Sequence, residues 1–222
     1  MNFFSWFKSK KTQNIDKREK ELEKIELLPN VFNEVSERQF FEEVNKYFDL
    51  QKYGVGAYND EKLEIFIGDL YSSSEINLAQ NVLVVGNIRA KWINLTSEKI
   101  IDSGGYLFVT GNLDCDYFSN DFNKFVFVNG SLIVKKILNT EFEDSCLVVG
   151  KDLVTEYFHG IDIWAEVGGS IDINYGWGYC RDFDGKNVFP KNDIMTSLEF
   201  LGIDKDFGTE QMNELISKAK GK

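Results

Sequence analysis

Six times over residues 63–174 the chain repeats one short phrase: FIGDLYS, VVGNIRA, VTGNLDC, VNGSLIV, VGKDLVT and VGGSIDI. Aligned on the central aliphatic residue, these give Leu70, Ile88, Leu113, Leu132, Leu153 and Ile171, at intervals of 18, 25, 19, 21 and 18 residues. Self-similarity at such a period marks an architecture in which each unit buries its apolar face only against its neighbours. The interval is near one coil of a β-solenoid.

The aligned columns turn this into geometry. Four residues before the central aliphatic stand Phe66, Val84, Val109, Val128, Val149 and Val167, and two residues after it Ser72, Ala90, Cys115, Val134, Thr155 and Ile173. Between them runs a pair: Gly68, Gly86, Gly111, Gly130, Lys151 and Gly169, followed by Asp69, Asn87, Asn112, Ser131, Asp152 and Ser170. Apolar residues at even offsets around Gly-[Asp/Asn/Ser] describe two strands joined at a sharp corner, where glycine relaxes the backbone limits and the polar residue bonds the turning chain. Lys151 interrupts the glycines, and Gly150 beside it predicts a one-residue shift of the corner. An antiparallel sandwich with frequent turns is the competing reading, but six-fold agreement in four columns favours a single-stranded parallel β-helix. Six coils at about 4.8 Å give a core roughly 25–30 Å long.

Odd offsets define the outside. After the corner come Tyr71, Arg89, Asp114, Ile133, Val154 and Asp172, then Ser73, Lys91, Asp116, Lys135, Glu156 and Asn174, a mostly polar wall. Before it, the outward column reads Ile65, Leu83, Phe108, Phe127, Val148 and Glu166. Apolar side chains in line on the outside of a rod call for a cover. The chain's own terminal segments are the first candidate, and a partner or a second copy, as a homodimer through this apolar wall, is the second.

A solenoid also needs caps. The expected organisation is an N-terminal helical segment and cap over 1–60, the β-solenoid over 61–174, and an aromatic loop with a helical cap over 175–222. Residues 16–28 read as a charged helix, with i,i+4 pairs such as Asp16 and Lys20. Ser36-Glu-Arg-Gln39 has the form of a capping box opening a helix to about Leu50, with Phe40, Val44, Tyr47 and Phe48 on one face beside Phe41. Residues 194–203 and 210–219 read as short helices covering the last coil.

The formal net charge of −11 and pI near 4.7 argue against binding nucleic acid through its phosphates. They suit a basic protein partner. Cys115, Cys146 and Cys180 have no CxxC spacing and leave one cysteine over in any pairing, which points to reduced, cytoplasmic usage. No signal peptide or membrane-spanning stretch is expected. Phe3, Phe4, Trp6 and Phe7 ahead of Lys8, Lys10 and Lys11 are the ingredients of a weak interfacial anchor, so residues 1–11 are the candidate membrane contact.

Catalytic equipment is sparse. His159 is the one histidine of the sequence and reads as structural. A zinc site would need it to meet the three cysteines from different walls. Asp114 with Asp116, and Asp162 with Glu166, are the paired carboxylates, read first as solvated acids. The corner glycines have no following helix and are not a phosphate loop. No metal or other cofactor is expected. Two segments stand out from the repeat: the insertion at 96–105 in the second coil, and Tyr175-Gly-Trp-Gly-Tyr179 after the last phrase. Aromatic rings between glycines have the composition of a recognition loop.

The run 82–173, with VLVVGNIRA, LFVTGNLDC and LVVGKDLVT, resembles bacterial solenoid proteins carrying repeated LxVxG[DN]L phrases. Some of these accompany polymorphic toxin systems as immunity proteins. The likeness covers about half the chain, is structural in its motif and transfers no functional residue. It implies a non-enzymatic protein-binding module, a cytosolic immunity protein occluding a bacterial toxin whose domain would often be basic. The expected contact residues are Tyr175, Trp177, Tyr179, Asp114, Asp116 and Glu156. The glycine–valine rhythm also looks like bactofilins, which implies a polymer-forming, membrane-associated scaffold, although irregular coils and extensions at both ends depart from that pattern. A third and weaker alternative is an enzyme acting on sugars through carboxylates along one wall.

Overall fold

The structure, a computed structural model, describes residues 27–53, 55, 62–95, 105–120, 124–141, 145–181 and 187–188, with backbone alone at 141, 161–162, 177–181 and 187–188. It is a parallel β-solenoid of six rungs, about five turns of the chain. One wall consists of β2 (Leu63–Ile67), β5 (Asn81–Val85), β7 (Gly105–Val109), β9 (Lys124–Val128), β11 (Cys146–Val149) and the end of β12 (Leu153–Val167), paired in parallel. Past each corner a second wall begins with β3 (Leu70–Tyr71), β6 (Ile88–Asn94), β8 (Leu113–Asn120), β10 (Leu132–Glu141), the start of β12 and β13 (Ile171–Arg181).

These longer strands turn a second corner. Ile88 and Ala90 face the core, and the next inward residues are Ile93 and Leu95, so alternation slips by one between Ala90 and Ile93. The same slip separates Cys115 from Phe118. A period of two cannot slip on a flat sheet, so the chain bends there and opens a third wall. Its first rung is β4 (Glu75–Asn77), paired with Trp92, Ile93 and Asn94. Inside, valine, leucine and isoleucine columns close into one cluster from Phe66 to Ile173, as the columns predict.

The corners are held by a ladder of side chains. Asp69 Oδ1 accepts from the Asn87 backbone N–H (2.8 Å), Asn87 Oδ1 from that of Asn112 (2.8 Å), and Asn112 Oδ1 from that of Ser131 (2.9 Å). Ser131 Oγ accepts from Asp152 N–H at a longer 3.4 Å, and Asp152 Oδ1 from Ser170 N–H at 2.8 Å. The acceptor oxygens lie where a Cβ on the next glycine would fall: a Cβ at Gly130 would sit 2.2 Å from Asn112 Oδ1 and 2.6 Å from the Gly111 carbonyl oxygen. Lys151 stays in the backbone ladder, donating to Gly130 O and accepting from Gly169 N. The expected one-residue shift therefore affects only the tight site, which moves to Gly150, where a Cβ would fall 2.3 Å from the Asn129 carbonyl oxygen. Lys151 is the position whose underlying rung offers a serine in place of Asp or Asn.

The apolar outer wall is covered by the chain itself, the first of the two expected covers. The capping box forms: Ser36 Oγ accepts from Gln39 N–H, and Gln39 Oε1 from Ser36 N–H. It opens α1 (Glu37–Val44), which ends six residues short of the expected Leu50. A turn and a 3-10 turn over Leu50–Tyr53 then carry Phe48, Leu50 and Tyr53 on to the wall. Phe40, Phe48 and Tyr53 meet the stacked pair Phe108–Phe127, whose ring centroids are 4.9 Å apart. Tyr47, expected on the buried face, is exposed. Glu166, the one polar residue of the column, takes Lys52 Nζ on both oxygens (2.6 Å) and Tyr53 Oη at 3.2 Å. The wall suggested for a homodimer is thus occupied by residues of the same chain.

At the N-terminal end, β1 (Phe32–Glu34) lies antiparallel on β2. Asn33 bonds the turn before it, accepting from Leu28 N–H and donating to the Leu28, Val31 and Ile65 carbonyls. Phe32, opposite Phe66, packs on that inward ring at a tilt, centroids 5.1 Å apart, and is left 41% exposed. At the other end β14 (Asn187–Val188) runs antiparallel to Cys180 and Arg181. The expected helices at 16–26, 194–203 and 210–219 lie outside the described residues, and Leu27 and Leu28 are not helical.

Gly130→Ala places a Cβ against both the corner oxygen and the carbonyl beneath it. It is expected to destabilise the fold by roughly 2 kcal/mol or more, read as a fall in the urea midpoint.

Candidate functional site

The second wall is the long face that stays open among the described residues. On the first wall the outward column lies under residues 37–53. On the third, Trp92, Tyr117, Ile137 and Tyr157 are all less than a tenth exposed. On the second wall Tyr71 is 62% exposed, and Arg89, Lys91, Lys135, Asp172 and Asn174 are exposed.

Its charges answer one another between rungs. Arg89 Nη2 lies 3.3 Å from Asp114 Oδ2, and Lys135 Nζ lies 2.9 Å from Asp114 Oδ1 and 3.8 Å from Asp116 Oδ1. Asn174 Nδ2 donates to Glu156 Oε2 at 2.7 Å. Asp114 is therefore shared between cations of the rungs on either side, with Asp116 beside Lys135, an arrangement suited to surface complementarity rather than to a proton-shuttling pair. At the first corner, N–H groups of Asn87 and the Tyr71 hydroxyl bond Asp69 and hold its carboxyl below the usual carboxylate range.

A β-bulge marks the wall's edge. Val134 pairs with Cys115 and Ile137 with Tyr117, so Lys135 and Lys136 together stand opposite Asp116. The extra residue turns Lys136 toward Tyr117, its Nζ 3.2 Å from the hydroxyl and 5.1 Å from the ring centre. Trp92 stacks on the same tyrosine at 4.4 Å.

Of the expected contact residues, Asp114, Asp116 and Glu156 share this wall, whereas Tyr175 begins the third-wall part of the last rung and is half-buried. The aromatic loop expected over 175–179 is a strand: Tyr175, Gly176, Trp177, Gly178 and Tyr179 pair in register with Tyr157, Phe158, His159, Gly160 and Ile161. The solenoid thus runs to Arg181, past the expected limit of 174. Alternation of glycine with aromatic residues is here a period-two strand, in which Gly176 falls in the inward column above Phe158. The side chains of Trp177 and Tyr179 are outside the described set.

His159 is fully buried, with Nδ1 2.6 Å from Asn139 Oδ1. Burial disfavours its cation and lowers its pKa to about 3. Cys115 lies in the inner core and Cys146 in the outer cluster, where burial pushes the Cys146 thiol up to about 12. The two sulfurs and the imidazole occupy separate environments, and among the described residues no group of three potential metal ligands comes together. Glu166, considered with Asp162 as a carboxylate pair, is engaged by Lys52 and Tyr53. Among the described residues no helix is long and apolar enough to cross a membrane. No family model, curated protein or solved structure matches the chain.

The His159 environment makes a pH prediction. Its folded pKa lies below the usual value near 6.5, so the unfolded chain takes up a proton first as pH falls. Stability should decline from about pH 6.5 toward pH 3, by up to about 1.4 kcal/mol per pH unit. His159→Gln should flatten urea-midpoint curves between about pH 6.5 and 4.5, above the range where Asp69 and Asp152 protonate. Parallel curves for the two proteins would contradict the assignment.

Proposed function

We propose that the chain is a non-enzymatic protein-binding module that presents its second wall to a partner, and that it acts as an immunity-type protein occluding a basic toxin domain. The observation that carries this reading is the contrast between walls. The first and third walls are buried on the outside, and the second offers a parallel-stranded face with charges at fixed spacing. Fixed strands hold side chains in place before binding, which lowers the ordering cost of association. The sole histidine is sealed and neutral, which fits binding better than acid–base chemistry. Excess negative charge favours encounter with a cationic domain.

The scaffold alternative needs rungs to stack end to end between molecules. Antiparallel strands β1 and β14 stand at the two ends, and a parallel stack cannot continue through them without displacing them. That favours a discrete binding protein.

Calorimetry against a basic toxin domain tests the reading. Glu156→Lys and the double change Asp114→Lys, Asp116→Lys are each expected to weaken the complex at least about tenfold, with little change in Tm. A complex indifferent to both variants would remove the second wall from the interface.

A further inference from the structure

The outer column of the second wall has a symmetry that its separate ion pairs do not need. From the first rung to the last it reads Ser73, Lys91, Asp116, Lys135, Glu156 and Asn174. Unbroken parallel pairing sets Lys91 level with Asp116 and Glu156 level with Asn174. Lys135 shares the place between Asp116 and Glu156 with Lys136 at the bulge, and Ser73 lies just past β3. Its charges run neutral, positive, negative, positive, negative, neutral. Read backwards, every charge meets its opposite and every neutral residue meets a neutral one.

A two-fold axis lying in the face, parallel to the strands, performs that reversal. It sets the first rung of one molecule against the last of another and keeps each column facing itself. Lys91 then faces Glu156, Asp116 faces Lys135, and Ser73 faces Asn174, each pair made twice. In the neighbouring column Tyr71 faces Asp172, Arg89 faces Val154 and Asp114 faces Ile133, so that column carries no opposed charges and Arg89 and Asp114 keep each other as partners within the chain. A two-fold axis along the rod would instead keep rungs level and set Arg89 against Lys91, so the charge pattern selects one orientation. This is the self-complementarity that an isologous interface requires.

We infer that two copies of this chain pair second wall to second wall, antiparallel along the rod, through this antisymmetric column. The contact is distinct from the apolar wall covered by residues 37–53, and it holds whether or not a foreign protein also uses the face. Six rungs about 4.8 Å apart and roughly 15 Å of strand give about 400 Å² per copy, about 800 Å² in total, below what a stable specific interface buries and in the range of weak, transient contacts. The dimer is therefore weak, in rapid exchange and sensitive to salt, and a partner bound to the same wall would displace it.

Sedimentation equilibrium of the intact chain in about 20 mM and about 300 mM salt reads this directly. A reversible dimer is expected, with Kd rising at least about tenfold at high salt as screening shortens the reach of the charges. Two charge-reversed chains then fix the register. One carries Lys91→Glu and Lys135→Glu, the other Asp116→Lys and Glu156→Lys. Each alone makes the column single-signed and should dimerise at least about a hundredfold more weakly, because like charges then face each other. Mixed one to one, the two should form a heterodimer. Thermal melting confirms that each is folded. If either is not, Lys91→Gln with Glu156→Gln removes the outer pairs without adding like charges and should weaken the dimer about tenfold. A chain that stays monomeric at low salt, a dimer unmoved by reversal, or a mixture that fails to pair would each overturn the proposal. Failure of toxin binding alone would leave the dimer standing, since its test contains no foreign protein.

Discussion

A hydrogen bond from one corner to the next sets the terms for the rest of this molecule. From Asp69 to Asp152 each corner oxygen accepts from the backbone of the rung above, and at Gly111, Gly130 and Gly169 that oxygen, together with the backbone carbonyl beneath, fills the space a Cβ would need. The corner contact thereby fixes the register of adjacent rungs and adds to the demand for glycine there. With the register fixed, every even offset stacks on its like, and the valine and leucine columns close into a continuous core. Asn30 shows how the cap joins this system. Its left-handed backbone (φ 59°) places Oδ1 within 2.5 Å of where a Gly68 Cβ would fall, the role a corner residue plays inside the stack.

The same registration divides the outside into faces with different fates. A column of Ile, Leu, Phe and Val on the first wall cannot remain in water, and the chain covers it with aromatic side chains from 37–53. The single carboxylate of that column is half-buried and takes Lys52 and Tyr53 as its partners there. On the second wall, charges of opposite sign on successive rungs neutralise one another at a fixed pitch and keep the face open. Binding, by a foreign protein or by a second copy, belongs to that face for a physical reason: its side chains are pre-positioned by strands and nothing described lies over it.

How much of this was legible in the sequence follows from how each feature is encoded. The corner phrase recurs, so the solenoid, its inward columns and the apolar outer wall could be read directly, and the Ser36–Gln39 box announced the covering helix. The second bend of each coil could not be read, because the slip from Ala90 to Ile93 falls between repeats with no glycine to mark it. Nor could the Lys135–Lys136 bulge, whose trace is one added residue within a 21-residue interval. Tyr175-Gly-Trp-Gly-Tyr179 was misread because glycine weakens an isolated strand, whereas here a neighbouring rung supplies the pairing. The Lys52–Glu166 contact joins residues 114 positions apart, a distance at which pattern carries no information.

The claim that corner residue and glycine are one device can be tested where the device is already relaxed. Lys151 stands above Ser131, the rung with the long 3.4 Å ladder bond. A double-mutant cycle of Ser131→Asn and Lys151→Gly, read by urea denaturation, measures their coupling. The account predicts that Ser131→Asn destabilises the chain while Lys151 is present, through collision with its Cβ. The loss should be recovered in the Lys151→Gly background, with a coupling of about 1–2 kcal/mol. Effects that add to within about 0.5 kcal/mol would contradict it and leave the glycine column without its stated cause.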